Sequence, residues 1–388
     1  MKFLLVLSWL ELGGAERQAI NFADYLLAHG HKVTVLGLGV NGQVNDICRS
    51  KGIQCVSIPP RNDLYTIYYK IRHKLHINPL TDEEIALYGL IHSLSNYINR
   101  EEYDVAISYC ALANTVLGCA KSRIRHTVCI WYQRDGGVYD KTEGLQPQAV
   151  KGMDLFLANG MAGVISLRQK YGVEARLIYN GVNVVPSLTD RAGWRDRLNV
   201  SDSDVVCTMV AQLTHDSKDH MTLLKAWKRL LSIDNRFYLV LAGRFANAYE
   251  ELTEYVEAED LGENIRFLGH IDDVYGVLRA SDICVFSSKT EGSPNGVIEG
   301  CMCSLPVVAT DAPEIREILS EENYPFLFQI GDDDQAAEHI MHLAEDEDLR
   351  LMIGDLNKGK STNMFDPNTN FAKLVQVSQG LVLKKQDV

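Results

Sequence analysis

The 388-residue sequence has no apolar run approaching ~20 residues, which excludes a helix that crosses a membrane. It has no internal repeat and no low-complexity segment. Its nine cysteines are odd in number and contain no Cys-x-x-Cys, and most stand in apolar contexts. They read as small core residues in a reducing cytoplasm, not as a disulfide framework. The eleven histidines form no zinc-like cluster. His339 and His342 are three apart on an expected helix without a third ligand nearby in sequence, so no metal site is expected. Positive charge is scarce, with 38 Lys and Arg against 51 Asp and Glu, a net −13. The deficit is uneven: residues 1–180 hold 19 basic and 16 acidic side chains (+3), and the remainder 19 and 35 (−16). The first half is therefore the one suited to an anionic partner, and nucleic acid is not an expected partner of the whole.

What is present is the composition of a soluble globular protein, 46% hydrophobic and 23% charged. The length exceeds one ordinary core, so two domains are expected. Met1–Leu7 carries one positive charge and an apolar run but no cleavage site, and it reads as a first buried strand, not as a signal peptide. Leu4–Leu7, a helix over Glu16–His29 and Val33–Leu36 make a βαβ unit, which implies a parallel, doubly wound sheet. Gly13-Gly14 before that helix leaves the backbone open to a ligand or serves helix packing, and it lacks the spacing of a dinucleotide fingerprint. Trp9 is either a stacking surface for a sugar or lipid-linked acceptor or a core residue. Ile67, Ile71 and Leu75 recur beside Lys70, Arg72 and Lys74, the pattern of a short basic amphipathic helix or of a solvated face. Tyr103–Tyr109 and Thr127–Trp131 read as strands. Arg134 and Asp135 follow the second of these, where an open parallel sheet places ligand groups.

The stretch Thr290–Glu299 carries the most chemistry. It links an apolar strand, Ile283–Phe286, to a helix expected to open with Ser293 as N-cap and Pro294 at the first helical position. The free N–H groups of that turn, with Gly292 and Gly296 leaving room, form an anion cradle. Glu291 and Glu299 flank it. Carboxylates would repel a phosphate but suit hydroxyl donors, so a ligand with a central diphosphate and hydroxyl-rich ends fits. A nucleotide sugar is such a ligand.

This stretch resembles the Glu-x7-Glu motif of the retaining glycosyltransferases of family 4. The resemblance implies that Glu299 holds ribose hydroxyls and that Glu291 lies by the transferred sugar. It also implies that the loop of Gly292, Ser293, Pro294, Asn295 and Gly296 holds the diphosphate through its amides. Gly-Gly-Ala-Glu resembles the first loop of that family, which places Gly14 opposite the donor. Ala211–His220 resembles its diphosphate clamp: Lys218 matches, Gln212 stands where an Arg is usual, and Arg244, just past an apolar strand, is the candidate substitute. Ile265–His270 resembles the strand whose end lines the base pocket, so His270 is placed there, and Ser288 keeps family order before Glu291. The Arg134-Asp135 pair resembles one found in some members, where Asp135 holds the transferred sugar or orients the acceptor hydroxyl; a structural pairing with Arg134 is the alternative. Asp202-Ser203-Asp204 precedes a strand and reads as loop charge, not as a metal-binding Asp-x-Asp.

The expected fold is α/β GT-B, two doubly wound Rossmann-like parallel sheets facing across a cleft. The expected domains are 1–183 on the acceptor side, 184–365 for the nucleotide sugar, and 366–388 as a helix returning to the first. The expected function is metal-independent, retaining hexosyl transfer from a UDP- or GDP-sugar to a hydroxyl of a glycan or lipid-linked acceptor in cell-surface polysaccharide biosynthesis, with Asp135, Glu291 and Lys218 as catalytic residues. No cofactor beyond the donor is expected, and the enzyme is expected in the cytoplasm, peripheral on the inner face of an anionic membrane. The alternatives are a nucleotide-sugar epimerase on the same fold and a non-catalytic sugar-nucleotide-binding subunit.

Overall fold

Every pairing between the described strands is parallel, and most of these strands are short apolar runs buried on both faces, as expected where helices cover both sides of a sheet. The structure is a computed structural model and describes residues 1–58, 82–134 and 145–386. Asp135 and the basic segment Ile67–Leu75 lie outside the described residues. The chain forms two units, Met1–Gly181 together with Pro367–Val388, and Val182–Asp366.

The first unit holds β1 (Lys2–Leu7), β2 (Lys32–Gly37), β3 (Gln54–Ser57), β4 (Val105–Tyr109), β5 (Val128–Gln133), β6 (Leu155–Ala158) and β7 (Arg176–Leu177). Their order is β3-β2-β1-β4-β5-β6-β7, so the winding reverses between β1 and β4. Along β1 the side chains alternate between two cores: Phe3, Leu5 and Leu7 join one, Leu4 and Val6 the other. The first core includes Phe22 of the helix Gly14–Ala28 and Phe371 and Leu374 of the final helix, Pro367–Gln386. The Phe22 and Phe371 ring centroids are 5.4 Å apart. The second core lies under the helices Asp82–Glu101 and Ala111–Ala120. Gly181 closes the unit: a Cβ there would come within 2.5 Å of the Phe371 ring, and its N–H donates to Gln18 Oε1 at 3.1 Å.

The second unit holds β8 (Val205–Val210), β9 (Phe237–Ala242), β10 (Ile265–Gly269), β11 (Ile283–Phe286), β12 (Val307–Thr310) and β13 (Leu327–Phe328). The order β10-β9-β8-β11-β12-β13 reverses between β8 and β11. Open α/β sheets bind ligands outside the carboxyl ends of their strands at such a reversal. None of the nine cysteines is in a disulfide and six are buried, which suits small packing residues. Asp202–Asp204 lies in the loop before β8, where Asp204 accepts from the N–H of Ser201 at 2.6 Å. No described helix is long and apolar enough to cross a membrane.

Candidate active site

The loops that leave β8 and β11 are stitched together. Lys218 and Ser288 form an antiparallel bridge, the Asp219 N–H donates to Ser287 O at 3.0 Å, and the Lys289 N–H donates to Ser217 O at 2.8 Å. The consequence is an ion pair at the winding reversal: Lys218 Nζ donates to Glu291 Oε1 at 2.5 Å, with the two side chains 15% and 9% exposed. The ammonium also sits 5.5 Å from the Phe286 ring centroid. Ser288 is buried, its N–H donates to Thr310 Oγ1 at 3.0 Å, and its side chain lies beside Glu291. Burial pushes the Glu291 carboxyl above its ordinary value; Lys218 and Ser288 pull the other way, and Glu314 adds to the rise.

The helix after Glu291 spans Asn295–Met302 and carries Glu299, buried, as its fifth residue. Its start corrects the sequence reading by one residue. Pro294, not Ser293, is the N-cap: ψ of 104° keeps it outside the helix, while its carbonyl accepts the Ile298 N–H at 3.2 Å. The first-turn amides are therefore those of Asn295, Gly296 and Val297. A Cβ on Gly296 would meet the Val210 carbonyl oxygen at 2.2 Å, so this glycine lets the helix close on the end of β8.

The remaining expected residues fall in three places. Gln212 is exposed just past β8, and Arg244 runs beside it past β9: the Leu213 N–H donates to the Arg244 carbonyl at 3.0 Å. Gly243 makes that approach possible, since a Cβ would stand 1.8 Å from the Ala211 carbonyl oxygen. His270 follows β10, 46% exposed, with Nε2 3.7 Å from Asp272. Gly14 is in the other unit, as the first residue of its helix. Gly13 before it has the Glu16 carboxylate overhead, where a Cβ would meet Oε2 at 2.7 Å. Trp9 is exposed and not a core residue. Arg134 lies over the rings of Tyr109 and Tyr132, 5.4 and 4.9 Å from their centroids, and donates to Asn180 Oδ1 at 2.5 Å. Phe245 is a residue the sequence reading passed over. Its signal is position: an aromatic side chain directly beyond an apolar strand of an open sheet.

Two family profiles match in tandem, Glycosyltransferase Family 4 over residues 12–185 and Glycosyl transferases group 1 over residues 204–346. The chain belongs to glycosyltransferase family 4. Among family relatives, the Escherichia coli UDP-Gal:alpha-D-GlcNAc-diphosphoundecaprenol alpha-1,3-galactosyltransferase is 22% identical over 312 residues, 76% of this chain and 79% of that one. The Campylobacter jejuni N-acetylgalactosamine-N,N'-diacetylbacillosaminyl-diphospho-undecaprenol 4-alpha-N-acetylgalactosaminyltransferase is 24% identical over 201 residues. That match spans 51% of this chain and about half, 52%, of the relative. In structure, Anabaena HepE in complex with UDP and glucose superposes with a TM-score of 0.82 over 98% of this chain and 100% of its own, at 19% identity. The two doubly wound units are those of the GT-B fold.

Proposed function

We propose that this family 4 chain transfers a hexosyl group from a UDP- or GDP-sugar to a hydroxyl of a lipid-linked or glycan acceptor in cell-surface polysaccharide biosynthesis, with retention and without a metal. The observation that carries the reading is the desolvated Lys218–Glu291 pair at the reversal between β8 and β11. A nucleotide sugar offers each partner something better. Its diphosphate takes Lys218, and its sugar hydroxyls donate to Glu291 in charge-assisted hydrogen bonds. As the glycosidic bond breaks, negative charge grows on the leaving diphosphate, and an ammonium already held in a low-dielectric site stabilises it without reorganisation. The amides of Asn295 and Gly296 assist, with Gly292 and Ser293 beside them, and Glu299 holds the ribose. Gln212 is neutral and lacks the charged, bidentate fork of a guanidinium, so Arg244 alongside it completes the clamp. Asp135 orients the acceptor hydroxyl. Support for the acceptor class comes from the Escherichia coli and Campylobacter relatives, whose names both specify diphospho-undecaprenol substrates. We place the enzyme at the inner face of the membrane for the same reason.

The test incubates the full chain with UDP- and GDP-sugars, with and without undecaprenyl-diphosphate saccharides, in EDTA and in magnesium, and reads product anomers by NMR. Acceptor-dependent transfer with retention in EDTA is expected. Conversion of the donor sugar without acceptor would make the chain an epimerase, binding without turnover would make it a binding subunit, and activity lost in EDTA but restored by magnesium would refute metal independence.

A further inference from the structure

We propose that Phe245 is the stacking face for the nucleobase of the donor, an inference that rests on the donor reading above. The segment that carries it is fixed from two sides. Leu213 and Phe245 form a parallel bridge, the Leu213 N–H donates to Arg244 O at 3.0 Å, and the Ala248 N–H donates to Leu213 O at 3.2 Å. The ring is fixed as well. It stacks on Tyr249 with centroids 4.0 Å apart and planes 17° from parallel, and Tyr249 meets Phe267 of β10 edge-on at 5.7 Å. Gly269 passes its edge with φ +65°, where a Cβ would lie 3.3 Å from Cζ. A ring backed on one face and along one edge would ordinarily be buried. Phe245 is 44% exposed, and of the eleven phenylalanines it alone is exposed. Its free face is therefore turned to solvent, at the carboxyl end of β9.

Position then selects the ligand. The sheet order β10-β9-β8-β11 sets Phe245 beside β8, on the flank of the crevice where Lys218 and Glu291 meet. β9 adjoins β8, so the ring stands on the strand exit next to the one that leads to the diphosphate clamp, on the side to which a ribose and base can extend. A rigid, one-sided aromatic surface at that place suits a flat heterocycle. Stacking is tolerant of base identity because every base presents a π face. Phe245 thus supplies affinity for uracil and guanine alike, and the choice between them falls to polar groups such as those of His270 on the adjoining exit.

The experiment titrates UDP, GDP and inorganic pyrophosphate into wild type, Phe245→Ala, Phe245→Leu and Phe245→Tyr by calorimetry, with thermal unfolding as the check on folding. Ala and Leu should weaken whichever nucleotide binds by about five-fold or more, the scale of one base–aromatic stack, and leave pyrophosphate unchanged. Tyr should bind like wild type. Nucleotide affinity unchanged in Ala and Leu overturns the stacking face alone, as does an equal loss for pyrophosphate. Wild type binding neither nucleotide overturns the donor reading and the stacking face with it.

Discussion

Two sheets of one winding carry different chemistry at their reversals. In the second unit the loops past β8 and β11 close on a buried ion pair, Lys218–Glu291. In the first, the exit of β1 is tied to the first turn of the helix after β4 by a neutral contact, the Ala113 N–H donating to Ser8 Oγ at 3.3 Å. The cation there, Arg134 past β5, rests on two tyrosine faces and an asparagine; among the described residues its partners are neutral. The balance of charge runs the other way. The first unit has 22 basic and 17 acidic residues (+5), the second 16 and 34 (−18). The lesson is that overall charge does not locate an exchangeable site. An ion pair opens when a ligand offers each partner an opposite group, whereas the described partners of Arg134 hold no counter-ion to exchange. The fold supplies the place, and the side chains supply the chemistry.

The sharpest way to break that contrast is Lys218→Ala. Loss of one preorganised donor should lower kcat about 10²–10³-fold, more than it changes folding, because burial raises the Glu291 carboxyl and lets it take up a proton once its partner is gone. Activity within about three-fold of wild type, under ~1 kcal/mol, would make the ion pair as structural as the Arg134 stack. Glu299→Ala comes next. Loss of charge-assisted bonds to the ribose should weaken the bound nucleotide diphosphate by roughly 1.5–3 kcal/mol, about 10- to 150-fold by calorimetry, while Glu299→Gln keeps the buried helix packed. Unchanged affinity in the alanine variant would remove Glu299 from the donor.

Much of this was legible in the sequence where burial leaves a local pattern. β11 follows from its apolar run, and its bounds, Ile283–Phe286, match residue for residue. The helix Ala111–Ala120 escaped that reading because Ala113 through Ala120 are all buried, so it has no polar face and no amphipathic period. The site was legible in part. Its residues stand on recognisable strand exits, but the bridge between Lys218 and Ser288 joins positions seventy apart, and no local pattern announces it. The packing role of Gly296 was hidden for a related reason: the Val210 carbonyl that a Cβ there would meet is distant in sequence.

A smaller effect sharpens the difference in charge. Lys70, Arg72 and Lys74 add to the positive unit, and each basic residue near an anionic surface contributes about 1 kcal/mol. The chain should co-sediment with anionic vesicles at low salt, less so with added salt, and less again as Lys70→Glu with Lys74→Glu. Equal binding of the two proteins, or none, would leave the segment a solvated face and favour a soluble acceptor.

The smallest effect lies inside the ion pair and reads its balance directly. Burial raises the Glu291 carboxyl in the folded state against the pull of Lys218 and Ser288. A raised folded-state value means that the native protein binds this proton more tightly than the unfolded chain. The associated stability is present below the unfolded carboxyl value and is lost as pH rises through the folded one. Glu291→Gln cannot ionise and escapes that loss, while the cost of taking away the partner of Lys218 enters at both ends of the range. The difference in unfolding free energy between variant and wild type, from urea titrations at pH 4 and pH 7, should therefore move in favour of the variant as pH rises. Movement in the opposite direction would show that Lys218 outweighs burial. The crevice of the second unit would then be a stabilising contact in its own right, and a ligand would have to displace it against a larger opposing free energy than the donor reading requires.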